Sequence, residues 1–349
     1  MKLLSIIIPA YNVECSIKNC LDKIISILND NYEIIVINDG SRDLTLDICN
    51  KYAKKYKHVK IVSINNVGAG AARNIGINIS SGKYLMFCDA DDSYDEVELN
   101  MLVNKLEKYM MKCDLLCFDY RNVWNGEVEA KENYYSNKII FKDSNDKIDY
   151  ISSKDAHIFS GYSVWNKVYK KSIIISNQIY FPERDMLGNK DDWAEDLVFN
   201  LQYYSCIKNI LVINDPVYLL TKHGIKSEQN DNKCLNRIEH MSKLLLYFEN
   251  SKAFINNINK CMWIIAIWHI KRYLYLDINN TKPKVVYNIL SFNDRTVEWL
   301  KSSLKNWNMI KNRWSEKEAL DYKYLIQYLI NGNNFLYKLK NYYLWRIRR

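Results

Sequence analysis

Residues 33–43 read Glu33-Ile34-Ile35-Val36-Ile37-Asn38-Asp39-Gly40-Ser41-Arg42-Asp43. The run Ile34–Ile37 is apolar and β-branched without alternation, so it predicts a strand buried on both faces over Glu33–Asn38. Asp39-Gly40-Ser41 supplies the turn chemistry that closes it. A strand with two dry faces needs helices on either side, and the flanking sequence provides them. Leu3–Pro9 is another such run. Between the two, Ile17, Leu21, Ile24, Ile25 and Leu28 recur at helix spacing over residues 16–29. Downstream, Leu44, Leu46, Ile48, Tyr52 and Ala53 predict a helix, Val59–Ile64 a strand, Ala69–Ile79 a helix and Tyr84–Cys88 a fourth strand. A helix over Val97–Leu106 and a strand over Asp114–Tyr120 extend the pattern. Strands alternating with helices define an α/β fold with a mostly parallel sheet. In such sheets ligands bind beyond the carboxyl ends of the strands. That rule gathers Pro9–Glu14, Asp39–Asp43, Asn65–Gly70 and Asp89–Asp92 on one rim.

The chain has 349 residues, enough for about two domains. With 48% hydrophobic and 26% charged residues, disorder, collagen and low-complexity scaffolds are excluded. No apolar run reaches the ~18 residues of a membrane span. The best candidate, Met262–Leu276, is broken by His269, Lys271 and Arg272, and reads as a packed helix. The opening Met1–Ile8 resembles a signal peptide but ends at Pro9 with no small-residue cleavage site, so a buried first strand is expected. Nine scattered cysteines without a CxxC predict reduced thiols in a cytoplasmic protein.

Charge is unevenly placed. Residues 225–349 carry a net +12 and residues 1–224 a net −3. The composition shifts near Lys222–Asn232, which predicts two regions, 1–224 and 225–349. A basic region points to anionic partners, lipid or nucleic acid. Residues 233–349 read as wholly helical, with Pro283 and Gly332 as the main breakers. Their end, Phe335–Arg349, mixes five basic residues with aromatic and aliphatic ones, as in a helix lying on an anionic membrane surface. The alternative is a helix packed on the rest of the protein with solvated charges. No nucleic-acid-binding module accompanies the basic residues, so nucleic acid is not expected.

The turn after the first strand, Pro9-Ala10-Tyr11-Asn12-Val13-Glu14, has no glycine, which excludes a dinucleotide fingerprint; a Walker A loop is also missing. The rim instead offers Asp39 and the trio Asp89, Asp91 and Asp92. Clustered carboxylates make sense beside phosphates when a divalent cation lies between them. A solvated acidic loop is the plain alternative, and Asp92 alone reads equally well as a helix N-cap.

Four motifs occur in order: Pro9-x-Tyr11-Asn12-x-Glu14, Val36–Asp43, Asn66-x-Gly68-x3-Ala72-Arg73-Asn74-x-Gly76, and Phe87–Asp92. Together they resemble the family 2 glycosyltransferases, enzymes of the A-type glycosyltransferase fold that use nucleotide-sugar donors. The resemblance is dense over the first ~100 residues and sparse to about residue 220. It implies that Pro9, Tyr11, Asn12 and Glu14 surround the nucleoside, that Asp39 reads a uracil edge, and that Ser41 completes that turn. It further implies that Arg73 lies against the donor, and that Asp89 and Asp91 contact ribose and hold Mn2+ or Mg2+ on the diphosphate of a UDP-sugar. Asn74 and Gly76 read equally well as helix-packing residues.

Further along, Trp165-Asn166-Lys167 resembles a family segment near the acceptor, with Trp165 offering an apolar face to a sugar. A buried Trp within a strand is the alternative. Glu195-Asp196 resembles the family motif whose Asp is the general base, with Glu195 orienting or binding acceptor. Lys222 and His223 stand where the family closes over the diphosphate. Arg313-Trp314 resembles a pair in processive synthases, but Ile310 replaces the expected Gln, which disfavours such a synthase. The resemblance thus implies an inverting hexosyltransferase that moves one sugar, galactose or an N-acetylhexosamine. Its acceptor would be a glycan, lipid-linked at the inner face of the cell membrane, in capsule, O-antigen (lipopolysaccharide) or exopolysaccharide synthesis. The rivals are a non-catalytic glycan- or membrane-binding relative and a sugar nucleotidyltransferase. The latter would need a Gly-rich phosphate loop with Arg after the first strand, which Pro9–Glu14 lacks.

Overall fold

The computed structural model of the chain describes residues 2–25, 29–130, 139–141, 163–183, 195–222 and 301. The chain divides into two units, residues 1–150 with 155–226, and residues 151–154 with 227–349. Within the second unit only Lys301 is described, so the expected helices of 225–349 and the segment Phe335–Arg349 lie outside the described residues, as does His223 of the first unit.

The first unit opens with β1 (Lys2–Ala10), α1 (Ile17–Ile25), β2 (Tyr32–Asp39), α2 (Thr45–Lys55), β3 (Val59–Ile64), α3 (Ala69–Ile79) and β4 (Gly82–Phe87). β1 pairs in parallel with β2 and β4, and β2 with β3. The unbroken apolar runs are explained by two separate cores. Ile34 and Val36 join one cluster with Ile17, Cys20, Leu21 and Ile24 of α1; Ile35 and Ile37 face the other way, onto Ala72 of α3. A strand's period of two sends alternate residues into opposite cores, so every position is apolar. α3 approaches the sheet closely at Gly76, where a Cβ would lie 2.4 Å from Ile7 Cγ2.

The rest comprises β5 (Ser93–Tyr94), α4 (Glu96–Met110), β6 (Leu115–Trp124), β7 (Glu127–Val128), β8 (Ile139–Phe141), β9 (Lys167–Lys170), α5 (Lys171–Ser176), α6 (Glu195–Cys206) and β10 (Ile210–Lys222). The strand order is β3-β2-β1-β4-β9-β6-β10-β5, with β7 on β6 and β8 on β10. Two features of the sheet go beyond the sequence reading. β9 is antiparallel and sits between β4 and β6, so the sheet is mixed at its centre. β10 is one strand over Ile210–Lys222, and its register with β6 shifts around Pro216. Proline has no N–H for the ladder, so the strand bulges there instead of ending.

Away from the rim, Glu33 is buried (1% side-chain exposure) yet fully partnered. Ser5 Oγ, the Ser81 amide and the Ser81 hydroxyl donate to its Oε1 at 2.6–2.8 Å, and Lys60 Nζ lies 2.7 Å from its Oε2. Against the opposing effect of burial, these donors lower its pKa to about 2. A depressed carboxyl contributes stability above its unfolded value of about 4.5, and that stability is lost as pH falls through about 2. The contribution is on the order of 2–3 kcal/mol. Glu33→Gln is therefore expected to lower Tm clearly at pH 6, with the gap closing towards pH 2 in thermal melts. A gap constant over that range would refute the assignment.

Candidate active site

The carboxyl ends of β1 and β2 are stitched together by side chains that the sequence reading placed around a nucleoside. Ser41 Oγ accepts from the Asn12 amide (3.0 Å), and Asn12 Oδ1 accepts from the Arg42 amide (2.8 Å). Asp43 Oδ2 accepts from the Glu14 amide (3.1 Å), and Glu14 Oε2 accepts from the Leu44 amide (2.8 Å). Asn12 takes a positive φ of 51°, which Asn tolerates better than most residues. Asn12, Glu14 and Ser41 thus build the loop, while Tyr11, 46% exposed, keeps a ring accessible beside it. Pro9 lies within β1, paired with Ile37.

Asp39 ends β2 and is buried. Its two carboxylate oxygens accept from the Val67 and Gly68 amides at 2.7 and 2.9 Å, tying it to the start of α3. One turn into α3 lies Arg73, with 5% of its side chain exposed. Its Nη2 donates to Asp89 Oδ1 (2.8 Å), and its Nη1 lies 3.2 Å from Glu195 Oε1 and 3.1 Å from Asp196 Oδ1. One guanidinium therefore joins the end of β4 to the first turn of α6. Burial alone would lower the pKa of Arg73, but Asp196, Asp89 and Glu195 together raise it, so the cation is permanent. Burial pushes the carboxyls of Glu195 and Asp196 upward; each charge also opposes ionisation of a neighbouring carboxyl, and Arg73 opposes the shift. Asp196 Oδ2 accepts from the Val164 amide (3.2 Å), whereas Oδ1 accepts no aligned hydrogen bond among the described residues.

Asp89 is about a third exposed, so its carboxylate reaches the rim while paired with Arg73. Asp92 is not the N-cap of α4. That position belongs to Asp95, whose side chain accepts from the Val97 and Glu98 amides. Asp92 is buried and accepts from the Tyr218 hydroxyl (2.8 Å) and the Thr221 amide (2.7 Å), joining the acidic turn to β10. Burial, reinforced by Asp89 and Asp91, raises its pKa to about 7. Tyr218 also accepts from the Asp89 amide, so this hydroxyl organises the turn from behind. Among the described residues, no three His, Cys, Asp or Glu side chains form a metal site unaided. Two strand-end carboxylates with oxygen donors from a diphosphate are nevertheless a fitting ligand set for Mg2+ or Mn2+.

The Trp-Asn-Lys segment stands behind the rim. Trp165 is 8% exposed, and its ring stacks on Tyr218 (4.5 Å between centroids, 16° between planes) with Tyr120 edge-on. The apolar face expected to meet a sugar is covered by tyrosine. Asn166 and Lys167 are buried as well. Lys167 Nζ donates to the Ser163 carbonyl and Asn166 Oδ1, and burial lowers its pKa to about 8. These three residues support the turn whose Val164 amide holds Asp196. The contributions of Val164 and Tyr218 carry no signature in the sequence beyond a nearby Trp and a tyrosine-containing strand.

A mixed α/β sheet with acidic groups at its strand ends and a second carboxylate pair across a buried arginine defines an A-type glycosyltransferase architecture. The model described as glycosyl transferase family 2 matches residues 5–172, and that region of the chain belongs to the family. The putative glycosyltransferase EpsH of Bacillus subtilis is 29% identical over 256 residues, covering 73% of this chain and 70% of EpsH. The poly(ribitol-phosphate) beta-glucosyltransferase of Bacillus spizizenii is 32% identical over 227 residues, 63% of this chain but only 33% of that protein. Among solved structures, S. aureus TarS 1–349 superposes with a TM-score of 0.67 at 20% identity, covering 94% of this chain and 87% of that one. TarS 1–349 has also been solved with UDP-GlcNAc (TM-score 0.60, 21% identity, same coverage). The chain is a glycosyltransferase. Among the described residues no helix is long and apolar enough to cross a membrane.

Proposed function

We propose that the enzyme transfers a single hexose or N-acetylhexosamine, such as galactose or GlcNAc, from a UDP-sugar to a glycan acceptor, with inversion at the anomeric carbon. The carrying observation is the Arg73 junction, which holds Asp89 on the donor side and Glu195 and Asp196 on the other side of one guanidinium. In-line displacement needs a group that takes the acceptor's proton as the hydroxyl oxygen bonds to carbon and the diphosphate leaves. Asp196 fills that role: burial raises its proton affinity, and Oδ1 has an acceptor site unused by aligned donors. Glu195 shares the arginine and orients the acceptor. Tyr11 is available to lie against the uracil ring, and Asp39 stands at the end of β2 to read its edge. Asp89 and Asp91 would hold Mn2+ or Mg2+, which when bound neutralises charge on the departing diphosphate. The UDP-GlcNAc complex of TarS supports a UDP-linked donor. The similarity to a poly(ribitol-phosphate) beta-glucosyltransferase supports a polymeric acceptor; we place that acceptor in bacterial surface polysaccharide synthesis. Residues 335–349, rich in arginine and aromatics, would bring the enzyme to lipid-linked acceptors at the inner membrane face.

The test is UDP release from UDP-glucose, UDP-galactose, UDP-GlcNAc and UDP-GalNAc, with Mn2+, Mg2+ or EDTA present. At least one donor is expected to turn over with metal, to fall at least tenfold in EDTA, and to fail in Asp91→Ala. Full-rate turnover in EDTA would remove the cation from the reading. Failure of UDP to bind in calorimetry would remove the donor class.

A further inference from the structure

Three features of α3 converge on one short segment outside the rim. Gly70, Arg73 and Asn74 share a helix face at i, i+3 and i+4. Asn74 spends its whole side-chain amide on Phe181: Nδ2 donates to the Phe181 carbonyl (2.8 Å), and Oδ1 accepts from the Phe181 amide (2.9 Å). Phe181 lies in no helix or strand, so this side chain pairs its backbone as a neighbouring strand would. The Phe181 ring stacks on Phe199 at 4.0 Å and 6°, and the Arg73 guanidinium sits 5.3 Å from the centre of the Phe181 ring. Phe199 belongs to α6, three residues after Asp196. Gln202 of α6 grips the same segment through the Tyr180 carbonyl (2.9 Å). At Gly70, an added Cβ would meet the Pro182 carbonyl oxygen at 3.0 Å, Phe181 Cβ at 3.2 Å and Glu195 Cγ at 3.3 Å.

From this chain of contacts we infer that Asn74 is a positioning residue, setting the place of Asp196 through Phe181 and Phe199. Among the described residues, both of its side-chain hydrogen bonds go to Phe181. Its loss leaves two buried backbone groups unpaired and frees the wedge on which the first turn of α6 rests. The inference rests on Asp196 being the base. A displacement near 1 Å of such a group costs up to about 10²-fold in rate.

The test uses the full chain and UDP release from the four UDP-sugars above, with UDP affinity measured by calorimetry. Asn74→Ala is expected to lower kcat about tenfold or more, with KM for the UDP-sugar and Kd for UDP unchanged within twofold. Gly70→Ala, whose added methyl presses on the same segment at Phe181 and Pro182, should show the same split and carries the test should Asn74→Ala fold poorly. In an Asp196→Asn background, Asn74→Ala should cost no more than a further twofold, because the residue it acts through is already disabled. Unchanged kcat in both α3 variants, matched losses of UDP affinity, or fully multiplicative losses in the double variant would overturn the inference. Normal turnover by Asp196→Asn alone would instead sink the base assignment beneath it.

Discussion

Asp196→Asn is expected to keep UDP affinity within about twofold while losing sugar transfer by a factor of about 10²–10⁴. The amide is nearly isosteric, so the contact of Oδ1 with Arg73 and the bond from the Val164 amide to Oδ2 survive in part. What disappears is the proposed proton-accepting site. The donor side, with Asp39, Asp89 and the stitched loops of β1 and β2, is left as it was, and binding and chemistry should therefore separate. Single-turnover transfer from the best UDP-sugar, alongside UDP titration, measures both. Retained turnover would mean that the acceptor's proton leaves by another path. Glu195→Gln is the control, because Glu195 shares the arginine and is also pushed upward by burial.

Arg73→Met should produce the second large effect, on stability and activity together. Methionine fills much of the same space but leaves Asp89, Glu195 and Asp196 crowded without a cation. Removing one partner of a buried ion pair costs roughly 3–5 kcal/mol, since the remaining charges stay desolvated. The carboxyls would respond by holding protons more tightly. A group whose folded-state pKa is raised above its unfolded value loses stability as pH rises, so the Tm deficit should widen from pH 5 to pH 8. Transfer should be lost with it, because a protonated Asp196 cannot act as base. Arg73→Lys should rescue only part of this, since one ammonium cannot span both Nη positions. A stable, half-active Arg73→Met enzyme would contradict the central role of this junction.

The fold of the first 110 residues is readable because two cores demand it. Ile34–Ile37 can be apolar at every position only where both faces are dry, and the helices that dry them announce themselves by spacing. Strand-end turns are readable for a similar reason: Asp39-Gly40-Ser41 and Asp89–Asp92 carry polar groups where apolar runs stop. The Glu195-Asp196 pair is legible only through its likeness to a family motif, and the structure brings it to Arg73, which Glu195 follows by 122 residues.

Other assignments turn on contacts that no local pattern encodes. Whether Trp165 meets a sugar or a tyrosine depends on β10 delivering Tyr218 to its face, and β10 follows it by more than forty residues. Asp92 reads as a cap in one dimension; only the path of the chain gives Asp95 the amides of α4 and Asp92 the hydroxyl of Tyr218. The insertion of β9 between β4 and β6 has no marker, because an antiparallel strand buried on both faces reads like a parallel one. Periodicity and turn chemistry are properties of neighbours along the backbone, and they settle the class of fold and the rim on which the strand-end carboxylates gather. The union of Asp89, Arg73 and Asp196, and the clamp of Asn74 on Phe181, depend on where distant segments come to rest, and close packing around the sheet decides that.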